Sequence, residues 1–134
     1  MIIDASVLIA AANDNDPDAV RCRDLLRATS GALVVPSTAL AEATFLVLKR
    51  LGTLAEIRLV ESLCHSPWVV EGPNSDDLNR AVELMTKYED LPLGFSDAAS
   101  VALAERLKET TVASLDDHFR IVRPSHVNAF DVRP

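Results

Sequence analysis

Glycine is scarce in this sequence, and its scarcity excludes several kinds of site. Only four glycines occur among 134 residues, far apart in the chain: Gly31, Gly52, Gly72 and Gly94. They cannot form a G-x-G-x-x-G motif or a P-loop, which argues against nucleotide binding by a glycine-rich loop. The G-x-S-x-G motif is also missing, which argues against the nucleophile elbow of α/β-hydrolases.

Cysteine and long apolar runs are scarce as well. Cys22 and Cys64 lie too far apart to suggest a disulfide framework, and reduced thiols are typical of cytoplasmic proteins. Cys64 is followed by a histidine, but the remaining histidines lack the spacing of a zinc site. The charge-free apolar stretches are too short to span a bilayer, and no signal-peptide pattern follows Met1. We therefore expect a cytoplasmic protein that does not enter a membrane.

Basic residues are outnumbered. The chain has 13 Lys and Arg against 20 Asp and Glu, and its formal net charge is −7. This balance argues against a broad basic face that coats nucleic acid. It leaves open an enzyme that reaches phosphate through bound cations, because a metal ion reverses the local sign of charge. The length predicts a single domain over residues 1–134 that buries a core of its own.

Short apolar segments alternate with amphipathic segments along the whole chain. Strands are predicted at Met1–Asp4, Ala32–Val35, Pro67–Glu71, Thr110–Ala113 and, at an edge, Val127–Val132. Helices are predicted at Ala5–Asn13, Ala19–Thr29, Ser37–Leu51, Leu54–Cys64, Asn74–Tyr88, Ser96–Leu107 and, as a short helix or turn, Asp116–Phe119. Ser37 and Ser96 are predicted N-caps, and Gly52 a C-terminal stop. The alternation predicts an α/β fold with a mostly parallel central sheet and helices on both faces.

Four acidic residues lie alone in the most apolar parts of the sequence: Asp4, Glu42, Asp97 and Asp116. A buried carboxylate without a partner is costly, and no Lys or Arg within these stretches supplies one. In a parallel sheet the carboxyl ends of strands and the following helix N-termini share one edge, so the four acids should converge there. Converging carboxylates need a cation, and ligands that offer only oxygen favour Mg²⁺ or Mn²⁺.

Most of these acids also have a simpler structural interpretation. Asp4 can cap the helix that starts at Ala5, and Asp97 and Asp116 can be first-turn acids favoured by a helix dipole. Glu42 lies too deep in its helix to act as a cap. Two hydroxyls lie two residues from Asp4 and Asp116 and either orient a carboxylate or satisfy a turn: Ser6 and Ser114.

Four motifs, in order along the chain, resemble the PIN-domain family. Met1–Ile9 resembles its opening D-x-S-x-L-I pattern, and Glu42 matches its helical glutamate. Gly94–Leu107 resembles its D-A-x-x-x-A-L-A block, and Ala113–Phe119 resembles its T-x-D motif. Among PIN domains the sequence is most similar to the VapC toxins of bacterial toxin–antitoxin pairs.

The resemblance implies a PIN-like fold and a Mg²⁺-dependent endoribonuclease that serves as a type II toxin. It further implies that one or two Mg²⁺ ions, or Mn²⁺, are held by the catalytic carboxylates, which are Asp4, Glu42, Asp97 and Asp116. Asp117 stands where relatives often carry a basic residue, which leaves open whether it contributes to the metal site. Arg120 and Arg123 are candidate RNA contacts.

The resemblance also implies a cognate antitoxin and a homodimer. The apolar helix surface around Leu54–Leu63 is a candidate for the antitoxin contact. The alternative is a non-catalytic PIN-like module that binds only a metal or a partner. A receiver-like site would need adjacent acids before the first helix and a lysine after the last strand, and neither is evident.

Overall fold

A five-stranded parallel sheet lies at the centre of the fold in a computed structural model that describes residues 1–65 and 67–134. The strands are β1 (Ile2–Ile3), β2 (Leu33–Pro36), β3 (Trp68–Glu71), β4 (Thr111–Ala113) and β5 (Asp131–Arg133). Their order across the sheet is β3-β2-β1-β4-β5, and every neighbouring pair is parallel. The predicted α/β fold with a mostly parallel sheet is therefore confirmed, with parallel pairing throughout.

Helices alternate with the strands and cover both faces of the sheet. The described residues form α1 (Ala5–Ala12), α2 (Ala19–Ala28), α3 (Ser37–Leu51), α4 (Thr53–Ser62), α5 (Ser75–Lys87), α6 (Phe95–Leu107) and α7 (His118–Ile121). None of these helices has the length and apolar content that a membrane crossing requires.

The side chains of the central strands divide between two cores. Ile2 and Ile3 are both fully buried, but they point to opposite faces because successive side chains alternate along a strand. Ile3 and Val35 pack with α1 and α3, whereas Ile2 and Val34 pack with α5 and α6. The central strands β1 and β2 are therefore apolar at every position, as a sheet covered on both sides requires.

Two predicted N-caps are wrong, because α3 has Ser37 as its first helical residue and α6 begins at Phe95, before Ser96. Pro36 occupies the cap position of α3, so Ser37 is already its first helical residue. Gly94, with φ −72° and ψ 161°, has the extended conformation of a cap residue before α6. Ser96 therefore falls inside the first turn, where its buried hydroxyl has no hydrogen-bond partner among the described residues.

The turn and strand predictions near Gly52 and the C-terminal end have different outcomes. Gly52 ends α3 with φ 90°, a left-handed conformation that favours glycine, as predicted.

The last strand begins at Asp131 rather than at Val127. Phe130, just before it, is buried and packs against Phe119 with ring centroids 6.3 Å apart.

Candidate active site

A cleft of about 500 Å³ lies where β1 and β4 end, between one face of α3 and the N-terminal end of α6. The four acids singled out in the sequence all line it: Asp4, Glu42, Asp97 and Asp116. Their neighbours in the cleft include Ser6, Leu46, Arg50 and His118. The structure thus brings together, at one edge of the sheet, side chains that lie far apart in the sequence.

Asp4 is the most constrained of the four. Its side chain is buried and caps α1 by accepting a hydrogen bond from the Ser6 N–H at 3.3 Å. The same oxygen, Oδ2, also accepts from Ser6 Oγ at 2.5 Å and from Ser114 Oγ at 2.9 Å. Oδ1 has no hydrogen-bond partner within residues 1–65 and 67–134. Asp4 therefore combines a cap with one carboxylate oxygen that stays available to a ligand.

The hydroxyls of Ser6 and Ser114 orient a carboxylate and satisfy a turn at the same time. While Ser6 Oγ donates to Asp4, it accepts the Leu115 N–H at 3.0 Å. Ser114 Oγ donates to Asp4 and accepts the Asp116 N–H at 3.0 Å. The loop that follows β4 is thereby tied directly to the carboxylate that follows β1.

Asp97 lies half-buried near the start of α6, with Oδ2 2.8 Å from His118 Nδ1. Burial raises the pKa of Asp97 above its ordinary value, and the hydrogen bond with His118 opposes this shift. The negative charges of Asp4 and Asp116 raise the same pKa further. These carboxylates are thus close enough to repel each other, and a cation among them would relieve the repulsion.

The expectation that all four acids are buried is wrong for Glu42 and Asp116, which are exposed. Ala39 and Ala43 of α3 are buried, but Glu42 lies on the outer side of this helix, where Ala41 is exposed and the Phe45 side chain is 60% exposed. An apolar stretch of sequence therefore does not imply burial here. Both carboxylates still line the cleft.

Asp117 does not line the cleft, whereas Asp116 does. The Asp117 side chain is exposed and lies 3.5 Å from the Nε of Arg120. Arg123 donates through Nη1 to the carbonyls of Arg120, Ile121 and Val122 at the end of α7. The two arginines considered as RNA contacts are therefore engaged outside the cleft.

Sequence reasoning missed three charged or titratable residues of this cleft, Asp16, Arg50 and His118. The position of His118 two residues after Asp116 was a usable signal, but its contact with Asp97 joins residues 21 positions apart. Arg50 follows Glu42 by two turns of α3, so both lie on one face of that helix. That spacing was available in the sequence.

The donor set of the cleft fits a hard divalent cation. All four acids offer carboxylate oxygen, which Mg²⁺ and Mn²⁺ prefer, and no cysteine lines the cleft. Nowhere in residues 1–65 and 67–134 do three Asp, Glu, His or Cys side chains stand close enough to form a metal centre by themselves. The fit thus rests on donor chemistry and on the available oxygen of Asp4.

Comparison with known proteins assigns the family. A family model described as "PIN domain" matches residues 1–123. The chain belongs to the PIN-domain family. This PIN domain is also 34% identical to Ribonuclease VapC26 of Mycobacterium tuberculosis over 135 residues, an alignment that covers 100% of both chains. That similarity places it among the VapC proteins.

A solved structure has the same fold as this PIN domain. The crystal structure of VapC20 from Mycobacterium tuberculosis, described as a Sarcin-Ricin loop cleaving toxin, matches with a TM-score of 0.86. The match covers 99% of this chain and 98% of VapC20, at 20% sequence identity. The expected PIN-like fold is therefore confirmed.

Proposed function

We propose that this VapC-family PIN domain, acting as a single domain over residues 1–134, is a divalent-metal-dependent endoribonuclease and the toxin of a type II toxin–antitoxin pair. The observation that carries the proposal is the convergence of Asp4, Glu42, Asp97 and Asp116 on one cleft. Full-length similarity to Ribonuclease VapC26 supports RNA as the substrate. An enzyme that acts on cellular RNA belongs in the cytoplasm.

The same four carboxylates would hold Mg²⁺ or Mn²⁺. When bound, such an ion supplies Lewis acidity that activates water and offsets the charge of the attacked phosphate. Ser6 and Ser114 hold the Asp4 carboxylate in one orientation, and His118 does the same for Asp97. Asp4 and Asp97 are therefore the two carboxylates whose orientation is fixed before any ion binds. Glu42 and Asp116 are exposed and have freedom to adjust when RNA enters.

Asp116 and Asp117 are adjacent acids of which only Asp116 lines the cleft, so they provide a matched pair for a test. Asp116→Asn removes a charge that faces the cleft, and Asp117→Asn removes the same charge from a side chain that does not. We expect cleavage of bacterial total RNA in Mg²⁺ to fall by orders of magnitude in Asp116→Asn and to persist in Asp117→Asn. Excess chelator should abolish cleavage by the unmodified protein.

The non-catalytic module remains the competing function. It predicts that the protein binds Mn²⁺ in a calorimetric titration yet leaves total RNA intact at every metal concentration. Equal activity in Asp116→Asn and Asp117→Asn would instead refute the assignment of Asp116.

Apolar side chains on α4 support a protein partner. The side chains of Leu54, Ile57 and Val60 are 61%, 47% and 44% exposed. Exposed apolar side chains grouped in this way are typical of a surface that contacts another protein. Beside them a cavity of about 260 Å³, lined mainly by apolar side chains, opens between α1, α2 and α4. We assign this surface, which includes the predicted Leu54–Leu63 segment, to the cognate antitoxin.

Expression alone should arrest growth, and co-expression of the neighbouring small gene should restore it. Ile57→Glu should abolish copurification of that gene's product, whereas Val82→Glu, on the exposed face of α5, should not. If Ile57→Glu still copurifies with the partner, the antitoxin does not bind at this surface of α4. The proposed homodimer predicts twice the monomer mass in sedimentation equilibrium.

A further inference from the structure

Arg50 is the one arginine that lines the acidic cleft in the part of the chain that the structure describes. It lies in the last turn of α3, on the same helix face as Leu46 and Glu42, because the three are spaced by four residues. The face of α3 that carries a proposed metal ligand at one end therefore carries a guanidinium at the other.

This guanidinium is unengaged. Arg50 is exposed, and neither an ion pair within 4.0 Å nor a hydrogen bond joins its side chain to another described residue, although Asp16 and Glu42 line the same cleft. Two other basic side chains have partners. Lys49 lies over the Phe45 ring, 5.9 Å from its centroid, and Arg120 pairs with Asp117.

A structural role at the helix C-terminus does not distinguish Arg50. Cations in the last turn of a helix interact favourably with its dipole, and Lys49 and Arg50 share that turn. Only Arg50 lines the cleft. Lys49 is thus a matched neighbour with the same charge on a different face.

We propose that Arg50 binds a backbone phosphate of the RNA beside the phosphate that is attacked, as a positioning residue. The inference rests on the proposed ribonuclease function. The planar fork of a guanidinium matches two phosphate oxygens, and the cleft otherwise repels a polyanion through its carboxylates. A phosphate contact fixes the register of the RNA and is independent of base sequence.

The test compares Arg50→Gln with Lys49→Gln, which change the net charge equally. The probe is a fluorescein-labelled pool of randomised RNA oligonucleotides in Mg²⁺, with binding measured by anisotropy and probe integrity checked on a gel. We expect Arg50→Gln to weaken binding about tenfold, as the loss of one exposed charge-assisted contact. The slope of log K against log salt should fall by about 0.7, the value for one phosphate on single-stranded nucleic acid.

Lys49→Gln should leave both the affinity and the slope close to those of the unmodified protein. Arg50→Lys should restore the slope and part of the affinity, because it keeps the charge without the fork. Equal melting temperatures for the two Gln variants exclude a folding defect. If the unmodified protein binds and cuts RNA but the two Gln variants bind alike, the inference is wrong and the proposed function stands. If the unmodified protein neither binds nor cuts RNA, both are wrong.

Discussion

Two substitutions of Asp4 distinguish its contribution to stability, as a helix cap and hydrogen-bond acceptor, from its proposed role as a metal ligand. Asp4→Ala removes the cap of α1 and leaves the hydroxyls of Ser6 and Ser114 without their acceptor. The cap is worth about 1 kcal/mol. Of the two hydroxyls, only that of Ser114 belongs to a buried residue, and a buried hydroxyl left unsatisfied costs about 1–3 kcal/mol. The expected loss of unfolding free energy is therefore roughly 2–4 kcal/mol.

Asp4→Asn keeps an oxygen where Oδ2 stands, so the cap and both hydroxyl bonds persist and the loss calculated for Asp4→Ala should not occur. In chelator the variant should melt at the same or a higher temperature, because one charge that repels Asp97 is gone. Cleavage should nevertheless fall by orders of magnitude, since the available oxygen of Asp4 becomes an amide nitrogen.

Thermal melts of the unmodified protein, Asp4→Asn and Asp4→Ala, each in chelator and in Mg²⁺, provide the assay. Metal at a hundredfold excess over its dissociation constant stabilises the native state by about 2.7 kcal/mol. For a domain of this size, each kcal/mol of stabilisation raises the melting temperature by roughly 3–5 °C. The melting temperature of Asp4→Asn should rise less in Mg²⁺ than that of the unmodified protein. Full cleavage activity in Asp4→Asn would contradict the assignment of Asp4 as a metal ligand. A melt as low as that of Asp4→Ala would refute the reasoning about the cap.

Three further outcomes are expected. Ser114→Ala removes a fully buried hydroxyl that joins Asp4 to the Asp116 N–H, and urea unfolding should show a loss of about 1–3 kcal/mol, with Ser100→Ala as a helix-internal control. His118→Phe keeps a ring but loses the bond to Asp97, so Mn²⁺ affinity in a calorimetric titration should fall about 10–100-fold, and unchanged affinity would contradict the orienting role. Burial alone would raise the pKa of Glu105, but hydrogen bonds from Arg80 and the Ser125 N–H outweigh it and lower that pKa below its ordinary 4.5. The stability from Glu105 is thus present above pH 4.5 and lost as pH falls through the lowered pKa, so Glu105→Gln should flatten the acid side of the stability profile; parallel profiles would argue against this ion pair.

The fold could be predicted because local patterns and parallel pairing constrain each other. Once Ile2–Ile3 is a strand, Asp4 must lie at the edge where helices begin, and the same topology carries Asp116 there from β4. Exposure could not be predicted in the same way. The apolar residues around Glu42 suggested burial, yet the neighbouring Phe45 is uncovered within this chain.

Contacts between distant segments were the other limit. The bond between His118 and Asp97 depends on how α7 packs against α6, and no local pattern encodes that placement. The caps of α3 and α6 failed for a different reason. Pro36 and Gly94 already have backbone conformations that start a helix, so the serines that follow are not needed for it.

The bond between Asp4 and Ser114 has a consequence for the protein during its own synthesis. Its two residues are 110 positions apart, and the strands that carry them, β1 and β4, pair side by side in the sheet. Contacts of such long range form only after both segments are available, which makes them late events in folding. A nascent chain that still lacks β4 has Asp4 but neither Ser114 nor Asp116 to complete the cleft. The acidic cleft is therefore completed only when most of the chain has been synthesised, because Ser114 and Asp116 lie near its C-terminal end.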